Sequence, residues 1–477
     1  MTTANESTGG AALVGTSATV LPLPPVSPYS LLNIRLFVAF RVFFNARFYY
    51  PVFTILFLDF GLTLEQFALL NTVWAFTNVL AEVPSGALAD IIGRKRLLVA
   101  TTLLMIAEMS LLAFVPLGNQ QVVFGAFLAN RIFSGLAEAL ASGADEALAY
   151  DTLVAQGLAK DWPKVLELQM RAQNIGYIFA MTLGAVVYDP DLVNRVLGWM
   201  GLAGGVNQQM SMRYPVYLTL LFSLLALVTT LKMQDPLGNQ EQPGLQRHAA
   251  SLWEMSRVTL QAGGWILRTP FALAIILFAM TFDHTLRMIV TLTSQYYRLI
   301  HLPEASFGLL GSAVAVLGLF VPRIARIMTE RFSPGKNVLV LSGFLLVVLF
   351  LLTLFMPYLG LLPMMAVFIG MMVTSYFTSH YLNEITESHQ RATVLSFKGL
   401  AFNAAYGFIG IVFAGLIQHF RSGQAAMHPA WPVSLVEDQA FKDAIACFPW
   451  YLGLGLLLVT LLCVPRLYRQ AVKKKHP

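Results

Sequence analysis

Apolar runs long enough to cross the ~30 Å hydrocarbon layer of a bilayer recur from residue 34 to residue 467, separated by polar turns. Backbone groups in lipid must be satisfied internally, so runs of this length restrict the chain to a bundle of membrane helices. The composition agrees. Of 477 residues, 57% are hydrophobic and 12% charged, with a mean hydropathy of +0.66, whereas soluble domains carry roughly 25% charged residues.

Twelve spans are predicted: 34–58, 65–89, 97–117, 121–142, 171–189, 213–233, 270–294, 305–328, 337–357, 360–382, 393–419 and 449–467. An even number leaves both termini on one side. Lys and Arg gather in the tails, Lys473, Lys474 and Lys475 among them, and in the loops that follow even-numbered spans. Opposite them lie Arg195, Arg213, Arg298, Arg421 and Lys442. The positive-inside rule then puts both termini in the cytoplasm. The net charge of +6 is topogenic by this reading and not a nucleic-acid footprint. Cys447, in an outer loop, and Cys463, inside a span, allow neither a disulfide framework nor a Cys-based metal site.

Residues 1–33 are rich in Thr, Ala, Ser and Gly and end in a Pro-rich piece, Pro22 to Pro28. They read as a disordered cytoplasmic tail, since no basic segment precedes an apolar core as in a signal peptide. Six spans (34–233) are then separated from six more (270–468) by a linker, 234–269, and a basic tail follows at 469–477. The linker starts polar and becomes amphipathic around Leu252, Met255, Val258, Leu260 and Trp265, which suits a helix lying in the cytoplasmic interface. Two outer loops, 190–212 and 420–448, are long. They read as surface insertions in preference to caps over a cavity mouth.

The stretch Glu82–Leu98, EVPSGALADIIGRKRLL, ends one apolar run, turns through Gly93 into three basic residues and starts another. It resembles the loop signature of the major facilitator superfamily, G-x-L-A-D-[RK]-x-G-R-K-x-x-L, at Gly86, Leu88, Ala89, Asp90, Gly93, Arg94, Lys95 and Leu98. Ile91 stands where a basic residue is common. The resemblance implies an all-α membrane fold of twelve helices in two pseudo-symmetric six-helix bundles, with helices one, four, seven and ten lining a central cavity. The matching loop of the second half, Pro322 to Lys336, keeps the layout but places Arg326 where Asp90 stands. Two further stretches, Ser142 to Asp151 and Arg391 to Ser396, resemble segments of a bacterial exporter-like branch.

Eight charges fall within spans: Arg41, Arg47, Glu82, Glu108, Arg131, Glu138, Asp283 and Arg287. Each costs roughly 2.5–3.5 kcal/mol facing lipid, so they should face the interior and pair. In span four, Arg131, Gly135, Glu138 and Ser142 share one stripe. Arg131-x-x-x-Gly135 resembles the family's fourth-helix motif, whose Arg is associated with proton coupling; a plain structural cross-link is the equal alternative. Asp283 and Arg287 are four apart, acid first, which favours an intrahelical pair. They would act either as a proton site separated by conformational change or as a permanently neutralised pair.

Proton-coupling candidates are thus Arg131, Glu138, Asp283, Arg287 and Glu108. Substrate-cavity candidates are Arg41, Asn45, His284, Tyr376 and His380. Gating is expected at Gly86, Asp90, Gly93, Arg94, Lys95 and Arg391, with Asp90 docking at the start of span eleven, where the helix dipole favours an anion. Span five carries Gly176, Ala180 and Gly184 but no Pro inside it, so the Gly-Pro pair frequent in the family's antiporters is missing. Small residues at that spacing explain close packing equally well.

No phosphate-binding Gly-Lys loop, His-Glu-x-x-His or nucleophile elbow is present, which argues against an enzyme or an ATP-driven pump. The expected activity is proton-coupled export of a small organic solute by alternating access. Proton-coupled uptake is the alternative, and a transport-silent sensor or scaffold is an alternative of another class. The expected partners are the bilayer, a small-molecule substrate and protons, with no nucleic acid, cofactor or metal. A monomer in a bacterial inner membrane is expected.

Overall fold

Each of the twelve apolar stretches carries a helix, and local chemistry sets where those helices begin and end. In the computed structural model of the protein, residues 27–235, 264, 266–386 and 388–475 are described. Span one is Leu32–Asn45 continued by Phe53–Asp59, followed by Leu64–Ile92, Arg94–Phe114, Gln120–Ala141, Trp162–Tyr188 and Tyr214–Lys232. Spans seven to twelve are Pro270–Thr291, Phe307–Arg331, Pro334–Leu352, Leu361–Ile385, Ser388–Met427 and Phe448–Lys475. Thr63 and Gln66 form a reciprocal capping box at the start of span two, and Asn119 Oδ1 accepts from Gln121 N and Val122 N at span four. Gly93 takes a φ of 88° between spans two and three, a conformation that costs glycine little.

Nine helical segments among the described residues are long and apolar enough to cross a membrane by length and composition. Spans one, two and five are not among them, for physical reasons. Span one is broken, while spans two and five spend positions on polar residues such as Asn71, Asn78 and Gln169 that are buried inside the bundle. The interfacial helix expected around Leu252–Trp265 and the tail 1–26 lie outside the described residues.

Helix pairings reveal the internal symmetry. Within the first half, span one packs on five and six, three on four and six, and two on four. Within the second, seven packs on eleven and twelve, nine on ten and twelve, and eight on ten. Adding six to each number in the first set gives the second, while span seven also packs on ten and span five on six. Across the halves, two packs on eleven and eight packs on five, again a symmetry-related pair. The chain is therefore two six-helix bundles repeating one arrangement.

Three expectations need correction. Span one is interrupted at residues 46–49, because Pro51 supplies no N–H and the Phe48 carbonyl is drawn against span five. A Cβ at Gly184 would come 1.8 Å from Phe48 O, so the small-residue stripe of span five is a packing surface for this break. Span eleven continues as helix to Met427, well past residue 419. The rest of 420–448 is not a loose insertion either. Its helix Val433–Ala446 buries Val436, Ala440, Phe441, Ala444 and Ile445, with the Phe441 ring 6.1 Å from that of Phe355. The other long loop does lie on the surface: helix Pro190–Trp199 buries no residue, and Asn194 Oδ1 holds the returning segment by accepting from Gly205 N and Val206 N.

Candidate functional site

A cavity of about 310 Å³ lies between the two halves. Span four contributes Arg131, Ser134 and Glu138, span two Asn71 and Trp74, and the break in span one Tyr49, Tyr50 and Pro51. The second half adds Arg287, Thr291, Tyr297, Phe307, Phe368 and Tyr406. Span four reaches this position because Gly135 allows it close to span two, where a Cβ would stand 2.9 Å from Trp74 O. The break in span one turns the Tyr49–Pro51 segment inward in the same way.

The three charges on the cavity wall differ in how they are satisfied. Arg287 Nη2 is 2.6 Å from Asp283 Oδ2, and Arg287 Nη1 donates to Asn403 Oδ1 at 2.8 Å. Its guanidinium also lies 5.4 Å from the Tyr406 ring centre. The expected intrahelical pair is thus formed. Arg131 is 3% exposed and donates through Nε and Nη2 to Asn130 Oδ1, at 2.9 and 2.8 Å, and stacks over Phe53 and Phe57. No carboxylate pairs with it among the described residues. Glu138 is exposed to the cavity and likewise has no ion partner among the described residues.

The remaining expected residues sit elsewhere. Glu108 is buried in the first half and pairs with Arg47, while its second oxygen has no hydrogen-bond partner. Arg41 turns away from the cavity to Asp145, 2.6 Å, and Glu146, and Asn45 Nδ2 donates to the Arg41 carbonyl at 2.8 Å. His284 Nε2 meets Tyr451 Oη at 2.8 Å, a contact between spans seven and twelve. Tyr376 and His380 stack on each other at 6.1 Å, and neither lines the cavity. Arg94 pairs with Asp151 inside the first half, and Lys95 is partly exposed. Gly86, Asp90 and Arg391 are helical, but the surroundings of Gly86 and the side chains of Asp90 and Arg391 are outside what is described.

An unexpected cluster joins the halves at the end predicted to face outward. Arg298 grips Asp59 with two hydrogen bonds of 2.9 Å and contacts Glu304 at 2.6 Å; Tyr188 and Gln208 donate to the same Asp59 carboxylate. Nearby, Arg421 of span eleven pairs with Glu65 of span two and lies 3.3 Å from Glu437. Thr54 N donates to Ser294 Oγ at 3.0 Å, and a Cβ at Gly308 would stand 2.2 Å from Met181 O. Burial pushes the Glu304 carboxyl above its ordinary value, with Arg298 opposing; burial likewise raises Glu437, with Arg421 opposing. One sequence signal pointed here: Asp59 ends the first span of one half and Arg298 lies just past the first span of the other, an acid and a base near equivalent boundaries.

The chain matches the family model of the Major Facilitator Superfamily over residues 35–410. No curated protein sequence matches it. Among solved structures, a bacterial homolog to the human lysosomal transporter Spinster, inward-facing and unoccupied, is similar with a TM-score of 0.66 at 14% identity, covering 91% of this chain and 96% of that one. The nucleoside transporter NupG is similar at a TM-score of 0.60 and 14% identity, over 91% and 98% of the two chains. The D-xylose-proton symporter has a TM-score of 0.60 and 13% identity, over 90% and 97%. Identities this low speak for the fold alone.

Proposed function

The chain belongs to the major facilitator superfamily, and from that premise we propose that it is a secondary transporter moving a small organic solute by alternating access. The observation that carries this reading is the cavity enclosed between two repeated halves whose contacts gather at one end. Rocking of the halves about such a site exposes it to each face in turn. The outer ends are joined by Asp59–Arg298 and Glu65–Arg421, which supports an inward-facing arrangement.

Proton coupling falls to Asp283 and Arg287. Tyr406 and Asn403, which hold the guanidinium, belong to span eleven, and Asn403 Nδ2 also donates to Asn78 Oδ1 of the first half at 3.3 Å. Movement between halves therefore strains this pair, freeing the carboxylate to exchange a proton. At the inner end, Asp90 docking near Arg391 would close the cavity. We assign the direction as export, with both termini cytoplasmic in a bacterial inner membrane and the protein acting as a monomer without an enzymatic step. Proton-coupled uptake is the second reading, favoured by the fold shared with the D-xylose-proton symporter.

Reconstitution into vesicles under imposed pH gradients tests this. The expected result is solute flux driven by the gradient, lost in Asp283→Asn while counterflow exchange survives. The sign of the gradient that drives flux decides between export and uptake. No flux across a broad solute panel would overturn transport and favour a sensor.

A further inference from the structure

On one helix the cavity wall holds a guanidinium and a carboxylate, neither of which is in an ion pair among the described residues. Arg131 and Glu138 are seven residues apart, which places them on the same face of span four and about 10 Å apart along its axis. That spacing keeps them from pairing with each other, and no ion pair joins them among the described residues. The second guanidinium on the wall, Arg287, is already answered by Asp283.

Arg131 is the more telling of the two. It is buried, yet its only acceptor is the neutral Asn130 Oδ1, shared by Nε and Nη2; Nη1 has no acceptor among the described residues. A guanidinium presents a fork that fits a carboxylate through two parallel bonds. Glu138 faces the open part of the same cavity and accepts what a protonated amine donates. Between and around them stand aromatic rings of Tyr50, Trp74, Tyr297 and Tyr406, which suit a planar or apolar body. At about 310 Å³ the space sits at the small end of ligand pockets.

We propose that the cavity selects a small zwitterion with an aromatic body, its carboxylate held by Arg131 and its cationic group by Glu138. This rests on the cavity being the solute site, and it adds the class of solute. A single-charged solute answers one wall charge and leaves the other unpaired. Because Arg131 is buried and Glu138 is exposed, the carboxylate contact is the stronger anchor.

Binding to the purified full chain in detergent, measured by titration calorimetry, tests the class with three probes. They are the dipeptide phenylalanylalanine, its C-terminal amide and its N-acetyl form. The zwitterion should bind best, with the amide weakened by about 10- to 100-fold and the N-acetyl form by less. Arg131→Gln should make zwitterion and amide equal, and Glu138→Gln should make zwitterion and N-acetyl form equal. Arg131→Lys keeps the charge and should keep the preference, which separates loss of recognition from loss of folding. A wild-type protein that binds either blocked form as tightly as the zwitterion, or binds none of the three, overturns the proposal. Vesicle flux is a separate measurement: its absence beside the expected binding pattern defeats the transport reading alone, while flux indifferent to Arg131→Gln defeats the solute class alone.

Discussion

The two ends of the bundle use charge differently. At the expected outer end the ion pairs cross between halves: Asp59 to Arg298 and Glu65 to Arg421. At the other end the described pairs stay inside one half: Arg41 meets Asp145 and Glu146 and Arg94 meets Asp151 in the first, and Arg326 meets Glu330 in the second. When two bundles rock as rigid bodies, a pair inside one bundle is carried along intact, whereas a pair across the interface must break. Crossing pairs therefore set which face is closed, and internal pairs set how stable each bundle is. Spin labels at Trp199 and Met427, exposed positions near the outer ends of the two halves, with both native cysteines replaced, give a distance that reads this difference directly.

The largest effect is expected from the Asp59–Arg298 pair. Its side chains are 15% and 32% exposed, so the roughly 3–5 kcal/mol for breaking a fully buried pair overstates it. A loss of about 1–3 kcal/mol in the coupling between arrangements, or about 5- to 150-fold, is the expected scale. Asp59→Asn should lengthen the label distance, and the swapped pair Asp59→Arg with Arg298→Asp should restore it. A distance unmoved by Asp59→Asn would remove charge as the cause of outer closure.

Close backbone packing offers a second route to the same end. Gly308→Val places carbon 2.2 Å from Met181 O across the halves, while Gly184→Ala places it 1.8 Å from Phe48 O within the first half. Overpacking of this kind costs about 1–3 kcal/mol. Gly308→Val should widen the outer end. Gly184→Ala should lower the thermal midpoint and leave the distance alone. If both behave alike, the halves do not move as rigid bodies.

Much of this architecture was legible in the sequence, and the boundary of legibility has a physical form. Hydropathy and the Gly86–Leu98 signature reach the bundle, its helices and its two halves, because lipid imposes a one-dimensional constraint on each span. Helical spacing likewise reached the Asp283–Arg287 pair and the Arg131–Glu138 stripe. It did not reach the contacts of Arg41 and His284, whose partners come from other helices: Asp145 for Arg41, Tyr451 for His284. Spacing along one helix says which residues share a face and nothing about which neighbour that face meets. The Asp59–Arg298 grip was hidden for the same reason, with 239 residues between its members.

A smaller effect is expected at the other end. Arg94→Gln removes a partner of Asp151 inside one half, with side chains 32% and 23% exposed, so about 0–1 kcal/mol is at stake. The thermal midpoint should fall slightly, and the outer label distance should not change. A changed distance would mean that Arg94 serves the gate after all, as the loop signature suggests.

The smallest expected effect is that of pH on the outer closure. Glu304 belongs to the loop just before span eight, where burial raises its carboxyl and the Arg298 guanidinium opposes the rise without cancelling it. If the outer end opens, water reaches Glu304 and its pKa returns toward the ordinary glutamate value. The closed arrangement thus binds the proton more readily than the open one, and linkage requires acid to favour closure. The contribution is fully present below the ordinary glutamate value and is lost as pH rises through the raised value of the closed form. The label distance should therefore shorten on acidification across that window. Glu304→Gln should flatten the response, since the amide is neutral throughout, whereas a response that persists in Glu304→Gln assigns it to Glu437 or Asp438, both raised by burial in the same way. A distance that lengthens in acid would mean that loss of the Arg298–Glu304 attraction outweighs relief of the buried charge, so that the cluster is held by Coulomb attraction rather than opposed by desolvation.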